Sequence, residues 1–234
     1  MYRIAHAYGN SSEKIAEAMA ANVDYIETDI WFRDKAVWVR HERRLGPLPL
    51  LADRRRNLHY ARRRRYLPFF SWYLLADIDG FRLENALEGA GPEMGLVLDT
   101  KGAYTLAESE RFAGVLQEHM AGRASNQKPI VCGRNWALLD SAGRAGPPLR
   151  VFYTVGSERD WELFAGRLES AAVAGVCIDH RVLDAEKARV LREKKIVFIC
   201  FTVDTAEEAT RVGELGLFGI TSNDLELLKS RPAS

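Results

Sequence analysis

The chain has 234 residues, of which 47% are hydrophobic and 28% charged, and its formal net charge is +1. That length suits one large domain, read here as residues 1–234, with a core big enough to need no covalent staple. The near-zero charge excludes a molecule committed as a whole to nucleic acid or to a membrane surface. No run approaches the roughly eighteen apolar residues of a membrane-spanning helix. The N-terminus, MYRIAHAYGN, lacks the basic and apolar regions of a secretory signal, so a cytoplasmic location is expected. Cys132, Cys177 and Cys200 are far apart and odd in number. Each falls in an apolar run and reads as a small buried hydrophobe, not as one half of a disulfide or a metal pair.

In chain order, RIAHA (3–7) is a strand candidate, and Ser11 or Ser12 can cap a helix that runs to about Ala21. YIETDIWF (25–32) is rich in β-formers, and a turn at 33–35 leads into AVWVRH (36–41), which predicts a hairpin. From Leu96 the alternation becomes regular. Strands are expected at 96–100, 129–133, 150–155, 175–179, 196–203 and 217–221. Helical patterns fill the gaps at 105–120, 135–141, 158–168, 184–193 and 206–215. Strands alternating with helices imply parallel βαβ units. With the hairpin arm set aside, they make eight βα steps, the number that closes a (β/α)8 barrel. A doubly wound sheet is the weaker alternative, because no G-x-G-x-x-G follows a strand.

Residues 42–80 break this rhythm. Nine arginines fall between Arg43 and Arg65, and the aromatic run YLPFFSWYLL follows at 66–75. A stretch this long without a βα unit reads as an insertion over the barrel mouth.

Barrel active sites lie at the C-terminal ends of the strands. His6 ends the first strand and His41 ends the hairpin arm. Glu27 and Asp29 lie two apart on the second strand, so they share a face, and Asp99 and Lys101 repeat that spacing on the next barrel strand. Acids inside apolar strands are costly unless compensated. One hard divalent cation, Mg2+ or Ca2+, compensates three carboxylates at once. Lys101 can face a phosphate oxygen opposite the metal, and two histidines can serve as general base and acid. The bland alternative is a salt-bridged rim in which E-x-D and D-x-K pair with each other.

The order H-x-x-G-N, I-E-T-D-I, V-R-H-E and L-D-T-K resembles the glycerophosphodiester phosphodiesterases, of the phospholipase C-like barrel type. It also resembles their barrel relatives, the sphingomyelinase D-like phospholipases. The C-terminal FTVDTAEEATRVGELGLFGITSND looks like the family's last two strands. The resemblance implies catalytic roles for His6 and His41, metal ligation by Glu27, Asp29 and Asp99, and substrate binding by Lys101. Phe201 stands where the family has a tryptophan, and is expected to face the substrate. The chain departs from the first family in lacking the arginine that follows its first histidine, since Ala7 stands there. Arg43 or Arg44 is a candidate to replace that phosphate contact. His6 without that arginine, together with D-x-K, is closer to the sphingomyelinase D-like branch. The implied activity is metal-dependent cleavage of a glycerophosphodiester to glycerol 3-phosphate and an alcohol, through histidine acid–base steps and a cyclic phosphate. Cleavage of a lysophospholipid and non-catalytic binding of a phosphate ester are the alternatives. The expected partner is a small phosphodiester or lysolipid. For the arginine-rich insertion, residues 43–75, contact with lipid headgroups, contact with nucleic acid and a solvated basic helix whose apolar end packs on the barrel all stay open, with nucleic acid the least favoured.

Overall fold

In the computed structural model, residues 1–61, 65–77, 80–121, 129–169 and 173–230 are described. Thirteen strands are present among them: β1 (Tyr2–Ala5), β2 (Tyr25–Arg33), β3 (Ala36–Val39), β4 (Arg43–Arg44), β5 (Leu50–Arg54), β6 (Tyr66–Phe69), β7 (Trp72–Ala76), β8 (Gly95–Thr100), β9 (Ile130–Gly133), β10 (Arg150–Val155), β11 (Gly175–Asp179), β12 (Val197–Phe201) and β13 (Gly219–Ser222). Eight α-helices accompany them: α1 (Ser12–Ala20), α2 (Leu83–Ala90), α3 (Leu106–Ala121), α4 (Trp136–Ala145), α5 (Glu158–Arg167), α6 (Ala185–Glu193), α7 (Ala206–Gly213) and α8 (Leu225–Lys229). None is long and apolar enough to cross a membrane.

Eight strands are mutually parallel and run in the order β1-β13-β12-β11-β10-β9-β8-β2, and pairing of β1 with β2 closes the ring. This is the (β/α)8 barrel expected from the alternation. Each strand is buried on both faces, which is why they read as nearly continuous apolar runs. The interior is packed by Ile4, Tyr25, Val97, Ile130, Cys132, Phe152, Cys177 and Ile199. A larger layer, including Ile15, Leu83, Phe112, Leu116, Phe164, Leu191 and Val212, packs the helices onto the outer face. Several helices start on a side-chain cap that the sequence announces: Ser11, Asn135, Ser157, Asp184, Thr205 and Asp224 each accept a backbone N–H from the first turn. All three cysteines are buried and free, as expected.

β3 runs antiparallel to β2 and forms the predicted hairpin arm. The insertion after it is a small antiparallel sheet of its own, in the order β4-β5-β7-β6, with a 3-10 segment at Arg55–Ala61. Leu51, Tyr73 and Leu75 form its miniature core, backed by Leu58. A basic helix, one of the readings for this stretch, is not what forms. The apolar residues of β7 alternate instead, with Tyr73 and Leu75 buried and their neighbours less so, which is the period of a strand. Arg62, Arg63 and Arg64 lie outside the described residues.

One close approach fixes the loop that leads from β1 into α1. A Cβ on Gly9 would stand 1.7 Å from the Thr28 hydroxyl and 3.1 Å from the Glu27 carbonyl. Only glycine lets this loop lie on β2. Gly9→Ala should therefore cost about 1–3 kcal/mol or somewhat more through overpacking and lower the thermal midpoint by several degrees. A melting curve unchanged from wild type would contradict that packing.

Candidate active site

The site is built at the C-terminal ends of the barrel strands. β1 hands the chain to His6, whose N–H still continues the ladder by donating to the Ser222 carbonyl at 2.9 Å. Ala7 then turns with a left-handed φ of 57°, a conformation costly for a residue with a Cβ. The turn is held because it aims the Ala7 N–H at Glu27 Oε2, at 2.6 Å. Three residues on, Asn10 closes on Asp29 twice. Its amide donates to Asp29 Oδ2 at 2.6 Å, and its carbonyl oxygen accepts the Asp29 N–H at 2.9 Å. The H-x-x-G-N loop is thus a clamp that holds both acids of β2.

The parallel register of β2 and β8 sets Asp29 beside Asp99, while Glu27 pairs with Val97. Glu27, Asp29 and Asp99 each offer an oxygen within 4.8 Å of the others. Glu27 and Asp29 are 4% and 1% exposed, so their charges are nearly cut off from water. Lys101 answers them, its ammonium 2.8 Å from Asp29 Oδ1 and paired also with Asp99. Burial holds the Glu27 carboxyl well above the usual range, and its two acidic neighbours push the same way. Burial also raises Asp29, but Lys101 and the two histidines outweigh it and hold Asp29 below its ordinary value. Desolvation would lower the Lys101 ammonium, yet Asp29, Asp99 and Glu27 keep it well above normal. The cross-pairing of D-x-K with E-x-D, the bland expectation, is therefore present. It sits on the wall of an open cavity of about 370 Å³ instead of forming a closed rim.

Two imidazoles stand at this cavity, with pKa values pushed in opposite directions. His6 Nδ1 lies 2.9 Å from Asn223 Oδ1. The Asn223 amide nitrogen donates to Asp204 Oδ2 at 2.8 Å, which fixes the carbonyl end toward His6. Nδ1 is therefore the protonated nitrogen, and Nε2, 3.9 Å from Glu27 Oε2, keeps a lone pair. Burial dominates and lowers the His6 pKa. His41 Nδ1 bonds Asp53 Oδ2 at 2.5 Å. Burial works against the charged ring there, but the Asp53 hydrogen bond and the Asp29 charge win and raise its pKa. Asp53 is itself held by the Arg54 N–H at 2.7 Å and the Asn57 amide at 3.1 Å. Tyr60 stacks on His41, centroids 4.1 Å apart and planes at 16°. It also meets His6 edge-on at 5.7 Å.

Among the expected residues, His6, Glu27, His41, Asp99, Lys101 and Phe201 line the cavity, and Asp29 lies behind Lys101. Arg43 is exposed on β4, pairing with Ala52, and is not among the lining residues. Among the described residues, the arginine at the cavity is Arg134, just after β9. A Cβ on Gly156 would come 2.7 Å from the Arg134 guanidinium, so the glycine leaves room for that side chain. Arg134, Asp53, Tyr60, Asn10 and Asn223 were not singled out from sequence. Asn10 ends the H-x-x-G-N motif and Asn223 lies in the C-terminal ITSND, while Arg134 follows a strand end, which is a usable signal. Asp53 and Tyr60 sit in the insertion, where no periodicity marks a residue as inward-facing.

No model of a known family matches the chain, and no curated protein does. The (β/α)8 fold, by contrast, has counterparts among solved structures. A phosphodiesterase from Oleispira antarctica, solved with its product sn-glycerol-3-phosphate, superposes with a TM-score of 0.71 at 16% identity, covering 97% of this chain and 95% of that one. A glycerophosphodiester phosphodiesterase from Thermotoga maritima gives 0.68 at 17% identity, with 97% and 96% covered. One from Parabacteroides distasonis gives 0.66 at 17%, with 97% and 94% covered. At such identities the likeness establishes the fold.

The Asp53 contact makes a direct prediction. In an NMR titration the His41 imidazole should hold its proton to a higher pH than a free histidine, and Asp53→Asn should lower that midpoint. An unchanged midpoint would show that Asp53 does not act on the ring.

Proposed function

We propose that the chain is a metal-dependent phosphodiesterase that cleaves a glycerophosphodiester, with His6 as general base and His41 as general acid. The observation that carries this reading is a cavity lined by Glu27, Asp99, Lys101 and two oppositely tuned histidines, with Asp29 clustered against the other two acids, in a barrel shared with solved enzymes of that activity.

The donor set is all oxygen and all anionic, which suits a hard divalent cation, Mg2+ or Ca2+. Glu27, Asp29 and Asp99 would hold it. Such an ion, when bound, draws negative charge from phosphate oxygens. Lys101, on the same wall, then meets a second phosphate oxygen, and Arg134 adds a cation at the rim. The substrate hydroxyl beside the ester attacks phosphorus. A new P–O bond forms, and the hydroxyl proton passes to His6 Nε2. The P–O bond to the leaving alcohol breaks, and that oxygen takes a proton from His41 Nε2. Asn223 and Asp53 keep each ring in the tautomer its step requires. Water then opens the cyclic phosphate with the histidine roles exchanged, returning both to their starting states.

The pKa directions have a consequence for rate. The base must be neutral, so activity rises with pH through the lowered midpoint of His6. The acid must be protonated, so activity falls through the raised midpoint of His41.

Lys101 is also the reason for a second reading, a barrel that binds phosphate esters without cleaving them, because its pairing with both aspartates already compensates the acids. One experiment separates the two: a panel of glycerophosphodiesters and lysophospholipids with added Mg2+ or Ca2+, followed by phosphorus NMR. The proposal expects a cyclic phosphate and then a monoester, and loss of about 100- to 10,000-fold in rate for His6→Ala or His41→Ala with the fold intact. Binding without turnover would favour the second reading. Turnover of lysolipids alone would move the substrate to that class. Full activity of either histidine variant would contradict the mechanism.

A further inference from the structure

The insertion carries a charge that its surroundings do not. Between Arg43 and Ala76 there are nine arginines, no lysine, no glutamate and a single aspartate, Asp53. Asp53 is bound to His41. Since the whole chain sums to +1, the rest of the molecule is net acidic. Such a split marks a surface for an anionic partner.

The same insertion also collects exposed apolar side chains. Among the described residues, eight large hydrophobics stand exposed, and five of them, Leu48, Tyr66, Leu67, Phe69 and Phe70, lie in this one segment. Leu67, Phe69 and Phe70 are 69%, 56% and 85% exposed. Phe69 and Phe70 are at the turn that joins β6 to β7. Phe70 has a φ of 50°, a left-handed position where glycine or asparagine is at ease and phenylalanine is not. A bulky apolar ring held there, against both solvent and backbone preference, points to a use for the ring.

Strand register puts the two features together. Trp72 pairs with Phe69 on one side and Arg54 on the other, so all three share one row at the same end of the sheet. The Arg54 guanidinium lies 4.5 Å from the Trp72 ring. The Arg55 N–H donates to the Ser71 carbonyl at 2.8 Å, directly beside the turn. Arg54, Arg55 and Arg56 are exposed. A basic run therefore flanks an aromatic tip.

We propose that this hairpin tip docks the protein peripherally on an anionic lipid bilayer, with Leu67, Phe69 and Phe70 entering the interface and Arg54–Arg56 meeting the headgroups. Aromatic and aliphatic side chains beside arginines are the composition of interfacial membrane segments. Nucleic acid offers phosphate to the arginines but no apolar phase for Leu67. The segment that follows the arginines supplies Tyr60 to the cavity, so docking holds the site beside lipid headgroups. The inference concerns binding, and it stands whether or not the proposed chemistry does.

The test is co-sedimentation of the full chain with vesicles of phosphatidylcholine alone and of phosphatidylcholine with phosphatidylserine. Binding is expected only to the anionic vesicles, with release by salt. The double variant Phe69→Ser, Phe70→Ser should partition about tenfold more weakly while melting like wild type, since both rings are exposed. A charge variant, Arg55→Glu with Arg56→Glu, should lose binding to anionic vesicles as well. No binding to anionic vesicles, or equal binding by the Phe variant, would overturn the proposal. So would gel filtration showing that the tip instead pairs two copies of the chain, or tighter binding to duplex DNA that ignores the Phe variant.

Discussion

Everything at the barrel mouth answers to one constraint, the crowding of three carboxylates, two of them buried, within a few ångström of each other. Bringing Glu27, Asp29 and Asp99 so close is unfavourable unless positive charge joins them. The chain meets that demand locally. Lys101 pairs with both aspartates, the Ala7 N–H reaches Glu27, and Asn10 grips Asp29 from two sides. The left-handed turn at Ala7 and the bare Cα of Gly9 are what that grip requires of the backbone. Loop, strand register and lysine form one arrangement, and altering any of them changes the balance at the others.

The histidines show how environment separates two identical side chains. Each presents Nδ1 to an oxygen and Nε2 to the cavity. Burial keeps His6 inclined to be neutral, although its Asn223 hydrogen bond works the other way, while at His41 the Asp53 hydrogen bond and the Asp29 charge overcome burial and keep it inclined to be charged. This is the pattern by which one fold supplies both an acid and a base near neutral pH. One of the two determinants, Asp53, comes from the insertion, as does Tyr60. The small sheet is thus part of the site as well as a surface feature.

The barrel was legible because its eight strands are apolar runs of similar length, separated by helices whose caps the sequence spells out. The acids and histidines were legible because each falls at a strand end with period-two spacing, and polar residues inside apolar strands stand out. The insertion was not, for a physical reason. Its sheet has a core of only a few side chains and its edges face solvent, so the arginine content hides the alternation of Tyr73 and Leu75. α2 was missed because Leu83–Ala90 follows that segment with no side-chain hydroxyl or acid at its start; Arg82 stands there instead. Arg43 was expected near phosphate by proximity to His41 in sequence. It lies on β4, exposed, because the chain turns away from the cavity as it enters the second sheet, and Arg134, from the end of β9 two strands along from β2, lines the cavity instead.

The most direct measurement of the central claim is calorimetric titration of the protein with Mg2+ and with Ca2+. The account predicts a single site for at least one of them, abolished in Asp29→Asn and in Asp99→Asn, with both variants still folded by circular dichroism. Wild-type protein that binds neither ion, or aspartate variants that bind as well as wild type, would contradict it.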